Sequence, residues 1–407
     1  MPSSPSSPEA GAPSAGLREG WPHIACCFLS IFSAYTVAFM LGPMLDAMGR
    51  ELGASVPAMG QLAALSFITW GIAAPLMGPV SDRYGRKPVL LIGLAGLALS
   101  CMATALAGSY AGVALFRLVT GVFGGCVPPT CVASIGDRFA PGARGNAMAL
   151  AGSGISASLL AGLPLLAWVT ARASWRWAFI MAGVSGLAAL ALAAWAFPPA
   201  QRQARPTTYL GSFEWMREPA PWHLIAGNVL ERVLVSLFLT YVAVLFLRRY
   251  GVSLSSVAWL LSAMSAGTAI GGLLGGLLAA RRWRFQAIRL MVLLQGLLLA
   301  LQFSILPPLA LSVAAGFLYS FVSQMSRPVV MDTLVGLAPR SRGSIIGCYA
   351  TSNQLGQMLG AALGGLVIAW TDLEGLGALA LAAGAGSAFF YGRLLRTGEM
   401  RRMGEVD

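Results

Sequence analysis

Gly78-Pro79-Val80-Ser81-Asp82-Arg83-Tyr84-Gly85-Arg86-Lys87 is a charged island between two long apolar segments, in a chain of 407 residues of which 10% are charged. The stretch is too polar for hydrocarbon and too short to fold alone. It must be a tight turn at a membrane surface, where Gly78 and Gly85 allow close backbone approach.

The flanking sequence agrees. Hydrophobic residues make up 57% of the chain and its mean hydropathy is +0.73, more than a soluble domain of this size could carry on its surface. Apolar segments of spanning length recur from about residue 24 to residue 392, and the natural count is twelve. An all-α polytopic membrane protein follows. The formal charge of +12 would point to nucleic acid in a soluble protein. Here the cations sit in short loops between apolar runs, so they report topology and exclude a nucleic-acid role. One side holds Arg18, Arg83, Arg86, Lys87, Arg138, Arg144, Arg202, Arg205, Arg217, Arg281, Arg282, Arg284, Arg340, Arg342, Arg393, Arg396, Arg401 and Arg402. The other holds Arg50, Arg172, Arg176, Arg248 and Arg249. Both termini are therefore expected on the cytoplasmic face of a bacterial-type inner membrane.

The six cysteines lie in apolar segments without metal spacing and read as small core residues, and the two histidines, His23 and His223, make a metal or His-based site improbable. No nucleophile elbow, H-E-x-x-H or ATP-binding loop is found, so an enzyme is not expected and energy must come from an ion gradient rather than a cofactor. The expected organisation is a Pro/Ser-rich tail (1–21), six spans (22–197), a hydrophilic linker (198–221), six spans (222–392) and a second tail (393–407). A constant shift of 198 residues carries Gly78 onto Gly276, Arg83 onto Arg281 and Arg86 onto Arg284, so the halves read as two copies of one unit. Asp82 and Gly85 fall on Ala280 and Trp283. The second copy keeps the cations and loses the carboxylate and the turn glycine.

The pattern G-x-x-x-D-R-x-G-R-K resembles the signature loop between helices two and three of the major facilitator superfamily. The whole chain most resembles its 12-helix drug/metabolite:proton antiporter branch. The resemblance implies two pseudo-symmetric six-helix bundles, alternating access, a small-molecule substrate, a proton gradient as the energy source and a monomer in the bilayer. It also implies a conformational latch of Gly78, Asp82, Arg83, Gly85 and Arg86, with Asp82 against helix eleven and Arg86 paired with Asp137 at the end of helix four. The alternative is a solvated turn that merely fixes topology. Arg117, Gly121 and Gly125 resemble the R-x-x-x-G element on helix four of proton-coupled members, which gives Arg117 a coupling or substrate role; a structural or snorkelling arginine is the other reading. On helix five, Gly152, Gly154, Gly162 and Leu163-Pro164 match the antiporter motif in part.

Glu231, on helix seven, is the carboxylate nearest mid-bilayer, since Asp46 and Asp332 fall at segment ends. Burial favours the neutral form of a carboxyl group, so Glu231 is a candidate coupling site; a structural ion pair with an arginine on another helix is the alternative. Arg232 is also a coupling candidate. Neighbouring positions differ by about 100° around a helix, so it is not expected to neutralise Glu231. Asn228, Arg232, Ser236 and Thr240 form a polar stripe beside Glu231. With Tyr319, Ser320, Ser323, Gln324 and Arg327 of helix ten and Tyr349, Asn353 and Gln357 of helix eleven, they make a candidate substrate cavity, although such side chains also bond neighbouring helices. Tyr35, Trp70 and Trp259 could stack on a substrate or anchor the protein. The expectation is proton-coupled efflux of a drug, siderophore or other metabolite. The first alternative is an uptake symporter for an organic anion, held through Arg117 and Arg232; a transporter-like sensor is a more distant one.

Overall fold

The computed structural model describes residues 17–197, 215–279, 281, 283–337 and 342–394. The first span is α1 (Trp21–Phe39) with α2 (Leu41–Leu52), the second α3 (Val56–Tyr84) and the third α4 (Arg86–Leu106). The fourth is α5 (Tyr110–Gly124) with α6 (Val127–Arg138). The fifth runs through α7 (Pro141–Ala157), a π-helical turn (Ser158–Gly162) and α8 (Leu163–Arg172), and α9 (Trp175–Ala196) is the sixth. The second half comprises α10 (Pro219–Arg249), α11 (Leu254–Ala279), α12 (Arg284–Ala300) with a π-helical turn (Leu301–Ile305), α13 (Leu309–Leu337), α14 (Arg342–Thr371) and α15 (Gly375–Leu394).

Among the described residues, 11 helices are long and apolar enough to cross a membrane. The remaining span, α14, has the length at 30 residues. It falls short in apolarity because Ser352, Asn353, Gln354 and Gln357 crowd its middle. The seventh span begins at Pro219 rather than 222, since proline at a first helical position gives up an amide that would have no partner anyway.

Prolines explain where the spans break. A proline ring clashes with the carbonyl four residues earlier and supplies no N–H to it. Pro43 acts on Phe39, where α1 ends; Pro128 acts on Gly124, where α5 ends; Pro164 acts on Leu160, inside the π-helical turn. The Leu160 carbonyl thus released accepts a bond from Ser262 Oγ of α11, in the other half, at 3.2 Å.

Glycine sets the close packing within the second half. Gly356, Gly360 and Gly364 repeat every four residues along α14, and a Cβ on Gly360 would lie 2.6 Å from both the Val233 carbonyl oxygen and Ser236 Cβ of α10. At the end remote from the chain termini the two halves are tied together. Arg248 Nη2 of α10 meets Asp46 Oδ1 of α2 at 3.0 Å, and Gln61 Nε2 of α3 donates to the Ala362 carbonyl of α14 at 3.1 Å. Gly42 of α2 lies directly against the Leu239 carbonyl of α10.

Candidate functional site

A polar cavity lies between the halves, walled by α1, the α7 end of the fifth span, α10, α11, α13 and α14. Arg232, Ser323, Gln324, Arg327, Asn353 and Gln357 all line it, so most of the predicted polar set does converge. Tyr35, Phe39, Phe238 and Tyr319 give it an aromatic side; the last two rings stand 4.6 Å apart. Among the described lining residues there is no Asp or Glu. The cavity volume is about 50 Å³. Drug-sized ligands occupy roughly 300–1,000 Å³, so in this conformation the cavity has room for a few waters.

Arg232 is 3% exposed. Its Nη2 lies 3.2 Å from Glu231 Oε1 but out of line for a hydrogen bond, leaving Nε and Nη2 without an acceptor. The expectation that these neighbours would not pair is thus corrected. Their Cα–Cβ bonds diverge, but the long arginine side chain folds back over the 100° between them. Gln357 Oε1 is likewise buried without a partner. Arg327 Nη1 bonds Gln324 Oε1 at 3.3 Å on its own helix.

Glu231 does not border the cavity as expected. It is fully buried inside the second half, about 18 Å along α10 at 1.5 Å per residue. Tyr391 of α15 donates to Oε2 at 3.1 Å, while Gln295 Nε2 of α12, at 3.3 Å, and the Ser326 hydroxyl of α13 donate to Oε1. These partners were missed in the sequence, although a glutamine inside an apolar span such as Gln295 is itself a sign of a buried polar network.

The polar stripe divides. Asn228 Nδ2 donates to Ser352 Oγ at 2.8 Å and Asn353 Oδ1 at 3.0 Å, and Ser236 Oγ donates to the Gln357 carbonyl at 2.7 Å. These bonds stitch α10 to α14. Ser236 and Thr240 face a smaller space beside Gly42 and Phe67, and only Arg232 of the stripe faces the main cavity. Arg117 does not reach the cavity. It is fully buried in the first half, where Nη2 donates to the Val37 carbonyl at 3.2 Å and Nε and Nη1 are without partners. Gly121 and Gly125 turn instead to α3, against Ser66, Thr69 and Ala73. Of the aromatic candidates, Tyr35 lines the cavity, Trp70 packs behind it at 5.8 Å between ring centroids, and Trp259 is 72% exposed on the outer surface of the bundle.

At the terminal end, Gly85 joins α3 to α4 with φ +95°, a conformation that strains any residue with a side chain, and its N–H bonds the Ser81 carbonyl at 3.0 Å. Arg86 Nε reaches Asp137 Oδ2 at 3.0 Å and its Nη1 bonds Ser81 Oγ, while Arg83 is exposed over the Tyr84 ring. The stretch is not the tight turn expected from its polarity: Gly78 and Asp82 fall within α3, which stays helical through Tyr84, and Gly85 alone makes the turn because its positive φ closes it in one residue. The expected seat of Asp82 against helix eleven falls on a side chain outside the described residues. The second half carries a counterpart pair. Arg284 Nη1 lies 2.7 Å from Asp332 Oδ2, three positions before the place a 198-residue shift of Asp137 would mark. The second copy therefore has its arginine paired after all, through a carboxylate displaced by about one helical turn.

Twelve membrane-length spans in two like halves with a polar cavity between them define a membrane transporter in architecture. The chain belongs to the Major Facilitator Superfamily, whose family model matches residues 27–361 and 224–402. It is 26% identical over 344 residues to the uncharacterized MFS-type transporter YceJ of Bacillus subtilis, covering 84% of this chain and 87% of that one. It is 28% identical over 342 residues to the chloramphenicol efflux pump MT0201 of Mycobacterium tuberculosis, covering 79% and 80%. The same fold is seen in the crystal structure of a bacterial homolog of the human lysosomal transporter Spinster, in an inward-facing and occupied conformation. The TM-score is 0.75 at 15% identity, with 97% and 99% of the two chains covered.

Proposed function

We propose that this chain is a proton-coupled secondary transporter that carries a small organic molecule through the central cavity by alternating access, as a monomer in a bacterial inner membrane with both termini cytoplasmic. The observation that carries the reading is the cavity wall: two guanidiniums, an aromatic side and buried hydrogen-bonding atoms without partners, lying between the two halves. Glu231 is the proton-coupling residue, and the loop from Gly78 to Arg86 with Asp137 latches the halves. The direction expected from the sequence is export of a drug, siderophore or other metabolite against proton entry, and the likeness to a chloramphenicol efflux pump supports it. A second reading, uptake of an organic anion together with a proton, is favoured by one feature of the site: Glu231 meets the cavity through Arg232. Arg117 does not line the cavity, so in this second reading the anion is held through Arg232 and not through Arg117.

Purified protein in proteoliposomes under an imposed pH gradient tests both readings. Expected is pH-driven flux of chloramphenicol for export or of an aromatic anion for uptake, on opposite sides of the gradient. Flux of neither, and no effect of the gradient on any compound moved, would contradict proton-coupled transport.

A further inference from the structure

Glu231 has no access to the cavity, yet Arg232 touches both. Its guanidinium lies 3.2 Å from the carboxylate on one side and forms cavity wall on the other, with Nε and Nη2 lacking acceptors. A buried donor without a partner is unfavourable, and a planar guanidinium fits a carboxylate or sulfonate through two hydrogen bonds. Arg327 adds a second positive charge to the same wall, and the aromatic side opposite suits an apolar, planar body. A cationic molecule would meet two guanidiniums and no lining carboxylate among the described residues.

From this geometry we infer that the substrate is an aromatic monoanion held by Arg232 and Arg327, and that its binding is accompanied by proton uptake at Glu231. The inference rests on the cavity being the substrate site. An anion seated on Arg232 places a second negative charge across the guanidinium from Glu231. Two like charges about 6 Å apart, at an effective dielectric of about 20, disfavour each other by roughly a hundredfold in binding constant. Uptake of one proton by Glu231 removes that penalty, and by reciprocity the bound anion favours the proton equally. The site gains one anion and one proton, so its net charge is unchanged.

The surroundings of Glu231 can accommodate the proton. Among the described residues, the ionisable groups around the Glu231–Arg232 pair are Tyr391 of α15, Tyr319 and Arg327 of α13, Tyr349 of α14 and Tyr35 of α1, and Gln295 of α12 and Ser326 of α13 are neutral. Gln295 Oε1 is buried without a partner, so rotation of that amide offers an acceptor for the new O–H, and the Tyr391 hydroxyl can accept instead of donate. An inward proton gradient then draws the anion inward, the second of the two directions above.

The test is calorimetric titration of the purified protein with benzenesulfonate, an anion at every working pH, against neutral benzenesulfonamide and cationic benzylamine. Buffers of different ionisation enthalpy report the protons exchanged. Benzenesulfonate is expected to bind tightest, with uptake of up to one proton per molecule. Arg327→Gln should weaken it about ten- to a hundredfold. Glu231→Gln should bind it at least as tightly with no proton uptake. Should that variant not fold, wild-type affinity for benzenesulfonate should still fall as pH rises while that for benzenesulfonamide stays level. Anion binding with no proton exchange or with proton release, or tighter binding of either comparison compound, overturns the inference. Binding of none of the three also overturns it; flux of other compounds in proteoliposomes would then leave the transport reading standing.

Discussion

Arg232 and Glu231 depend on each other in a way that truncation exposes. Removing the arginine alone leaves a fully buried carboxylate without its cation, and breaking a buried pair from one side costs about 3–5 kcal/mol. Arg232→Gln should therefore lower the thermal unfolding temperature in detergent, and the double variant Glu231→Gln/Arg232→Gln should recover most of the loss. A double variant no more stable than the single one would mean that the pair is not coupled. The Arg86–Asp137 pair belongs to another regime. It is partly exposed, its stabilising effect is roughly 0.2–1 kcal/mol, and the latch proposed for it acts in the transport cycle rather than in folding. Asp137→Asn should slow flux with ligand affinity and unfolding temperature nearly unchanged; an equal loss of affinity would place this end of the protein in the substrate site.

At the scale of elements, proline and glycine decide how the spans bend and how closely they pack. Pro164 accounts for the π-helical turn and for the Leu160 carbonyl that crosses to Ser262. Pro164→Ala should let the fifth span regularise and should reduce the flux rate without changing ligand affinity, as read by transport and calorimetry on one preparation. Gly360→Leu drives a side chain into α10 and should destabilise by about 1–3 kcal/mol, whereas Gly272→Leu, at a position with open space around it, should be silent in the same unfolding assay. The count and length of the spans were legible because apolar run length carries them directly. Which face each polar residue presents was not. Glu231 and Gln295 belong to one buried network across two helices, α10 and α12, which both pack on a third, α15, at Gly227 against Tyr391 and at Gly296 against Gly384. Arg117 shows the same limit: its R-x-x-x-G setting was visible, but its guanidinium turns to the Val37 carbonyl rather than the cavity. Asp332 was placed at its segment end but not matched to Arg284, because a repeat shift locates residues and the ion pair had moved by one turn.

For the whole molecule, the two halves flank the cavity and are tied at the end remote from the termini by Asp46–Arg248 and Gln61–Ala362. Cysteines at Gln61 and Ala362 bridged by a short bifunctional maleimide should stop flux, while either cysteine alone should leave it intact. Continued flux through the bridged protein would mean that this end does not open. The central claim is that an aromatic anion and a proton pass together through the cavity between the halves. It is tested most directly by benzenesulfonate flux in proteoliposomes under an imposed pH gradient, wild type beside Arg327→Gln. The predicted result is accumulation on the alkaline side that collapses with the gradient and is lost in Arg327→Gln; accumulation on the acidic side, or flux untouched by the loss of Arg327, would contradict it.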